Sequence, residues 1–150
     1  MLNDRFDTYI KWTFLAALGI SMFTGFGNMP MWGRFYVSDI PGLGWSADFF
    51  INLYVHYLSG GVLLGIATYS IIHYSQRRDR DARLSRTGVL RVTVFGLVLV
   101  SGALSAVKNL PSINLPLAGL MALVFFHLGA VMVYILISLA CRILRKPWMS

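Results

Sequence analysis

Three histidines stand within long apolar stretches of the sequence, and they are the residues whose chemistry needs an explanation. The stretches that contain His56, His73 and His127 hold no Asp, Lys or Arg, and the chain has no Glu. Ionisable side chains are rare in membrane-spanning segments and indicate a functional site. The lack of an acid beside them argues against a proton-coupled transporter, and three dispersed histidines supply a zinc site poorly.

His56 and His127 suit the axial ligation of a haem iron, which accepts one imidazole on each side of the macrocycle. His56 lies seven residues after Phe49, roughly 10 Å along a helix. His127 lies twelve residues after Leu115, roughly 18 Å along its helix, and helix tilt can absorb the difference of about 8 Å. We therefore expect both histidines to be metal ligands of one shared haem. Their other ring nitrogens should be held by acceptors, such as backbone carbonyls one turn earlier.

Small residues beside both histidines would leave room for a flat macrocycle. Gly60 and Gly61 follow His56, and Gly129 follows His127. Ordinary close packing of membrane helices explains the same glycines. We expect Gly60 to lie against the cofactor.

Two further residues are candidates for cofactor contacts at the membrane surfaces. His73 lies four residues before Arg77, where an interfacial histidine needs no special explanation, but it could hydrogen-bond a quinone or ligate a second haem. Lys108 could pair with a haem propionate, and plain anchoring at the interface is the alternative.

The elements that must position these residues are membrane-spanning helices. The chain of 150 residues is 57% hydrophobic and only 13% charged, and its mean hydropathy is +0.66. A helix needs about 20 mostly apolar residues to cross the hydrocarbon core. The sequence therefore predicts an all-α, four-helix transmembrane bundle in a single domain, without a recognisable internal repeat. The helices are predicted near residues 10–28, 49–75, 88–109 and 115–141.

The basic residues predict the orientation of the bundle. Eleven of the thirteen lie before helix 1 as far as Lys11, in the basic loop from Arg77 to Arg91 between helices 2 and 3, or after helix 4, which are segments on one side of the membrane. The positive-inside rule then places both termini in the cytoplasm. This pattern explains the net charge of +7 as topology rather than as nucleic-acid binding.

Short motifs on three helices resemble a known family of membrane cytochromes. Residues 22–26 read MFTGF, His56 is followed by glycines, and residues 125–129 read FFHLG. Over nearly its whole length the chain resembles the four-helix cytochrome b subunits of membrane-bound formate dehydrogenases, nickel-iron hydrogenases and thiosulfate reductases.

The resemblance implies how many haems to expect. Family members usually hold an outer haem between helices 2 and 4, whose ligands match His56 and His127, and an inner haem near the cytoplasmic face. Lys11 stands where the family has the first inner ligand, and Cys141 stands fourteen residues after His127 in place of the second. Because both inner ligands are absent together, we expect one haem b.

The resemblance also implies a function. The chain is expected to be an electron-transfer subunit of a respiratory oxidoreductase complex in the bacterial inner membrane, rather than an enzyme on its own. It would pass electrons between quinone and a redox partner on the periplasmic face. Membrane lipid and a peripheral iron-sulfur or multihaem subunit are the expected partners. The alternative is a haem-free membrane anchor or scaffold subunit, which explains His56 and His127 less well.

Overall fold

The computed structural model describes residues 2–29, 36–76, 84–111 and 113–148, with side chains described from residue 7 onward. Four long α-helices account for most of these residues, and no strand occurs among them, so the predicted all-α class is confirmed. The helices are α1 (Leu2–Gly27), α2 (Phe49–Gln76), α3 (Arg86–Val107) and α4 (Leu117–Ile143). Each has a segment long and apolar enough to cross a membrane.

The helix ends differ from those predicted by hydropathy. Helix α1 begins at Leu2 rather than near residue 10, and its apolar segment covers Asp7–Gly27. The helix therefore extends into the polar sequence that precedes its apolar segment. Helix α4 begins at Leu117 because Pro116, with φ −62° and ψ 151°, stands at its N-cap.

The helices carry apolar side chains on their outer surfaces and small polar side chains at their contacts. The largest fully buried side chains are polar: Asn52, Thr24, Ser46 and Ser101. The most apolar segment of α4 has a mean hydropathy of 2.5, yet only 6% of it is buried within the protein. Lipid is the solvent that accepts such surfaces, and membrane helices associate through small and polar residues. The chain is a multi-pass membrane protein.

The chain divides into two compact units, Met1–Gln76 and Arg77–Ser150. In the first unit α1 packs against α2, and in the second unit α3 packs against α4. Contacts between a late residue of one helix and an early residue of the next make each unit an antiparallel hairpin.

In the first hairpin, the loop before α2 folds onto the end of α1. The Asp48 carboxylate accepts hydrogen bonds from the backbone N–H groups of Phe50 and Ile51, at 2.9 and 3.0 Å, and so caps α2. The Trp45 ring packs against Phe23, with ring centroids 5.8 Å apart. The loop is therefore tied to both helices at this end of the hairpin.

In the second hairpin, the C-terminal segment packs against the start of α3. Arg91, which the charge pattern assigns to the basic loop, lies within α3 and is buried. Its guanidinium donates to the carbonyls of Lys146 and Pro147, at 3.0 and 3.1 Å, and stacks on the Trp148 ring. The Ser85 hydroxyl, which caps α3, also donates to the Pro147 carbonyl, at 2.8 Å.

Candidate functional site

His56 lies in α2, and its imidazole contacts α1. Nδ1 of the ring is 3.0 Å from the carbonyl oxygen of Ser21 and 3.1 Å from Oγ1 of Thr24. A carbonyl oxygen can only accept a hydrogen bond, so Nδ1 of His56 donates. A neutral imidazole protonated at Nδ1 carries its lone pair on Nε2, and that lone pair is what a metal binds.

Thr24 meets this imidazole as an acceptor. Its hydroxyl donates its single proton to the carbonyl of Ile20, at 2.7 Å, one turn earlier in α1. An oxygen lone pair therefore remains to accept from Nδ1 of His56. The side chain of Thr24 is fully buried, so its hydroxyl is closed to solvent.

Gly25, the next residue of α1, allows the imidazole to lie close to the helix. A Cβ atom at this position would stand 3.2 Å from Cε1 of His56. Any larger residue would push the ring away by a few tenths of an ångström. Glycine is the residue that permits this approach.

His127 lies in α4, and its imidazole contacts α3 in the same way. Nδ1 is 2.9 Å from Oγ of Ser101, whose own proton goes to the carbonyl of Leu97, at 2.7 Å. The Val98 backbone also hydrogen-bonds the His127 ring. Nδ1 of His127 therefore donates as well, which places the lone pair of the neutral ring on Nε2. A Cβ atom at Gly102 would stand 3.2 Å from Cε1 of His127.

The two hairpins thus repeat one arrangement, although the sequence shows no recognisable internal repeat. A hydroxyl-bearing residue followed by glycine lies on the first helix, and the histidine lies on the second. In both hairpins the hydroxyl donates to the carbonyl of the residue four positions earlier in its own helix. The backbone of the residue three positions earlier, Ser21 or Val98, hydrogen-bonds the imidazole. The sequence signal is limited to the dipeptides Thr24-Gly25 and Ser101-Gly102.

The acceptors for the imidazoles differ from those expected. They lie on the neighbouring helix, not one turn earlier on the histidine's own helix. The helix starts also change the expected depths. His56 is seven residues into α2 and His127 is ten residues into α4, roughly 10 and 15 Å along their own helices. The difference between these two distances along the helices is about 5 Å, compared with about 8 Å expected from the sequence.

The other predicted site residues lie apart from these hydrogen bonds. A Cβ atom at Gly60 would meet none of the described atoms within 4 Å. His73 lies near the end of α2 and stacks on Tyr69, with ring centroids 5.5 Å apart. Lys108 caps the end of α3, and its Nζ is 3.4 Å from Oδ1 of Asn109.

The two residues that replace the inner ligands of the resembled family also lie within helices. Lys11 is an exposed residue of α1, and Cys141 is a buried residue of α4.

No protein-family model, curated protein or solved structure matches this chain. The function must therefore be argued from the chemistry of the residues and from the short motifs that resemble the membrane cytochromes.

Proposed function

We propose that this chain is the b-type cytochrome subunit of a membrane-bound respiratory oxidoreductase complex. His56 and His127 would be the two axial ligands of one haem b. The subunit would pass electrons between the quinone pool and a redox partner on the outer face of a bacterial inner membrane.

The observation that carries this proposal is the common orientation of the two intramembrane imidazoles. Each donates from Nδ1 to the neighbouring helix, so Nε2 carries the lone pair of the neutral ring. Histidines that bind metals characteristically donate their other ring N–H to a carbonyl or another acceptor, which fixes the tautomer. Two such imidazoles would supply the two nitrogen donors that a haem iron accepts.

The residues present fit a haem. The nitrogen donors are of the right type, and the space beside Gly60 can accept a flat group on the same helix as His56. When bound, haem supplies one-electron transfer. The chain would hold the imidazoles, exclude water with apolar helices, and tune the reduction potential through burial and the Nδ1 hydrogen bonds. Lys108 would stabilise a propionate, since a cation offsets the cost of a carboxylate at the membrane edge.

The orientation of the subunit, the number of haems and the redox partners are inferred from the charge pattern and the resemblance. The basic residues favour cytoplasmic termini. Lys11 and Cys141 replace the inner ligands of the resembled family, which supports a single haem. A peripheral iron-sulfur or multihaem subunit would exchange electrons with that haem, and His73 is the candidate hydrogen-bond partner for quinone.

Removal of each histidine tests the proposal. We expect His56→Ala and His127→Ala to lower bound haem by about tenfold or more, because each removes an axial ligand and even the loss of a ligand's hydrogen-bond partner costs 10–100-fold in affinity. The measurement is the reduced-minus-oxidised spectrum of protein purified from cells supplied with haem. His73→Ala is the matched control and should keep its haem.

The alternative function has its own outcome in the same experiment. Wild-type protein that inserts in the membrane but shows no haem absorbance would overturn the cytochrome proposal. That result would favour a haem-free anchor subunit. Equal haem in wild type, His56→Ala and His127→Ala would show that other residues hold the haem.

A further inference from the structure

We propose that Thr24 and Ser101 are equivalent positioning residues, which hold His56 and His127 with Nδ1 protonated and Nε2 directed to the iron. This inference rests on the proposed function, because it assigns a role toward the haem that those histidines would bind. The motif MFTGF contains Thr24 but does not show that its hydroxyl contacts His56, and neither of the quoted motifs contains Ser101.

The repetition of the geometry carries the inference. In each hairpin the hydroxyl lies within 3.1 Å of Nδ1 and donates at 2.7 Å to a carbonyl four residues earlier in its own helix. The hydroxyl proton is thereby committed to the helix, and the oxygen faces the imidazole as an acceptor. The sequences around the two sites differ, so the same arrangement arises from different neighbours. A shared task at the two histidines explains why it is repeated.

Burial makes the two hydroxyls difficult to replace by solvent. Thr24 is 0% exposed and Ser101 is 2% exposed. A water molecule therefore has no ready route to Nδ1 when the hydroxyl is removed. The imidazole would then lose one of its Nδ1 acceptors and keep the backbone acceptor, which is the Ser21 carbonyl for His56.

These hydrogen bonds would set the strength of the ligands. An acceptor on Nδ1–H raises the basicity of the imidazole, and a more basic ligand favours the oxidised iron. Loss of the hydroxyl should therefore favour the reduced haem. We expect roughly a tenfold change in the ratio of oxidised to reduced haem, which corresponds to about 59 mV for one electron. Because the two sites are equivalent, the changes at Thr24 and Ser101 should be similar in size and sign.

Redox titration of the haem that remains bound in Thr24→Val and Ser101→Ala, prepared with haem in excess because the affinity falls when a ligand loses its hydrogen-bond partner, tests this role. Both variants should have a raised potential, whereas Thr24→Ser and Ser101→Thr, which keep the hydroxyl, should stay at the wild-type value. Thr68→Val and Ser70→Ala are matched controls. Their hydroxyls also bond the carbonyl four residues earlier, at 2.9 and 2.7 Å, but they are exposed on α2. The controls should not change the potential.

A second measurement reports on the tautomer without the haem. Solid-state NMR of ¹⁵N-histidine-labelled protein in lipid, prepared without haem, should show Nδ1–H at His56 and His127. Thr24→Val should change the His56 signal alone, and Ser101→Ala should change the His127 signal alone. Nε2–H at either histidine of the wild type would overturn the inference.

The outcomes separate this inference from the proposed function. Haem that is retained with an unchanged potential in both Thr24→Val and Ser101→Ala overturns the positioning role and leaves the cytochrome function standing. Wild-type protein that binds no haem overturns both.

Discussion

Each candidate ligand is approached by a glycine from the neighbouring helix, and this contact limits how far the imidazole can move. Gly25 faces His56, and Gly102 faces His127, each so closely that a Cβ atom would stand 3.2 Å from Cε1. The position of each imidazole therefore depends on the close approach of the neighbouring helix at its glycine. Adding one methyl group at either glycine, by substitution with alanine, tests whether the position of the imidazole affects haem binding.

We expect Gly25→Ala and Gly102→Ala to lower haem affinity by about tenfold, because a displaced imidazole no longer meets the iron with its Nδ1 hydrogen bonds intact. The measurement is haem retained per protein after purification. Gly96→Ala in α3 is the control, since its Cβ atom would meet nothing within 4 Å. That variant should keep its haem and gain up to about 1 kcal/mol of helix stability. Full haem retention in both test variants would contradict the ring-positioning account.

The sequence predicts the two histidines but not their partners. Histidines in apolar stretches stand out because charged and titratable groups are costly in lipid. Thr24 lies in the motif MFTGF, but neither it nor Ser101 is marked as the partner of a histidine, since small polar residues are common at membrane helix contacts. Which hydroxyl meets which imidazole depends on the register between two helices. That register is a property of the packed hairpin, so it appears only in the structure.

At the scale of the helices, the buried Arg91 links α3 to the end of the chain. Arg91 is 4% exposed and is held by two backbone carbonyls and the Trp148 ring. Gly88 belongs to the same contact, because a Cβ atom there would overlap the Trp148 carbonyl oxygen. The C-terminal segment is thus a packed part of the second hairpin.

We expect Arg91→Ala to destabilise the second hairpin by about 1.5–3 kcal/mol, because it removes hydrogen bonds from a charged donor to buried acceptors. Cys141 provides the measurement, since it is the sole cysteine of the chain and is buried. Its reaction with a thiol-specific fluorogenic dye during heating reports unfolding. Arg86→Ala, at an exposed position of α3, is the control. Equal unfolding midpoints for the two variants would show that the Arg91 contacts do not stabilise the hairpin.

Hydropathy places the helices well because a spanning segment must be apolar over its whole length. It places their ends less well, because ends depend on caps and on packing with other segments. Helix α1 extends back to Leu2, and α4 begins after Pro116. The charge pattern groups Arg91 with the basic loop, whereas hydropathy includes it in the helix predicted near residues 88–109. Neither pattern identifies its carbonyl and aromatic partners, which lie 55 or more residues away in the sequence.

At the scale of the whole molecule, the chain consists of two helical hairpins that each supply one imidazole. Both hairpins have the same arrangement of a hydroxyl, a glycine and a histidine. Each hairpin therefore contains one of the two candidate ligands. The apolar outer surfaces of the four helices suit lipid.

The central claim is that His56 and His127 together bind one haem b, and the most direct test is the haem content of the purified protein. A pyridine haemochrome assay gives the type of haem, and amino-acid analysis of the same sample gives the polypeptide. We predict one haem b per chain for protein made with ample haem. Two haems per chain would mean that other residues, with His73 the first candidate, also act as ligands. No haem would contradict the claim and leave the anchor subunit as the better explanation.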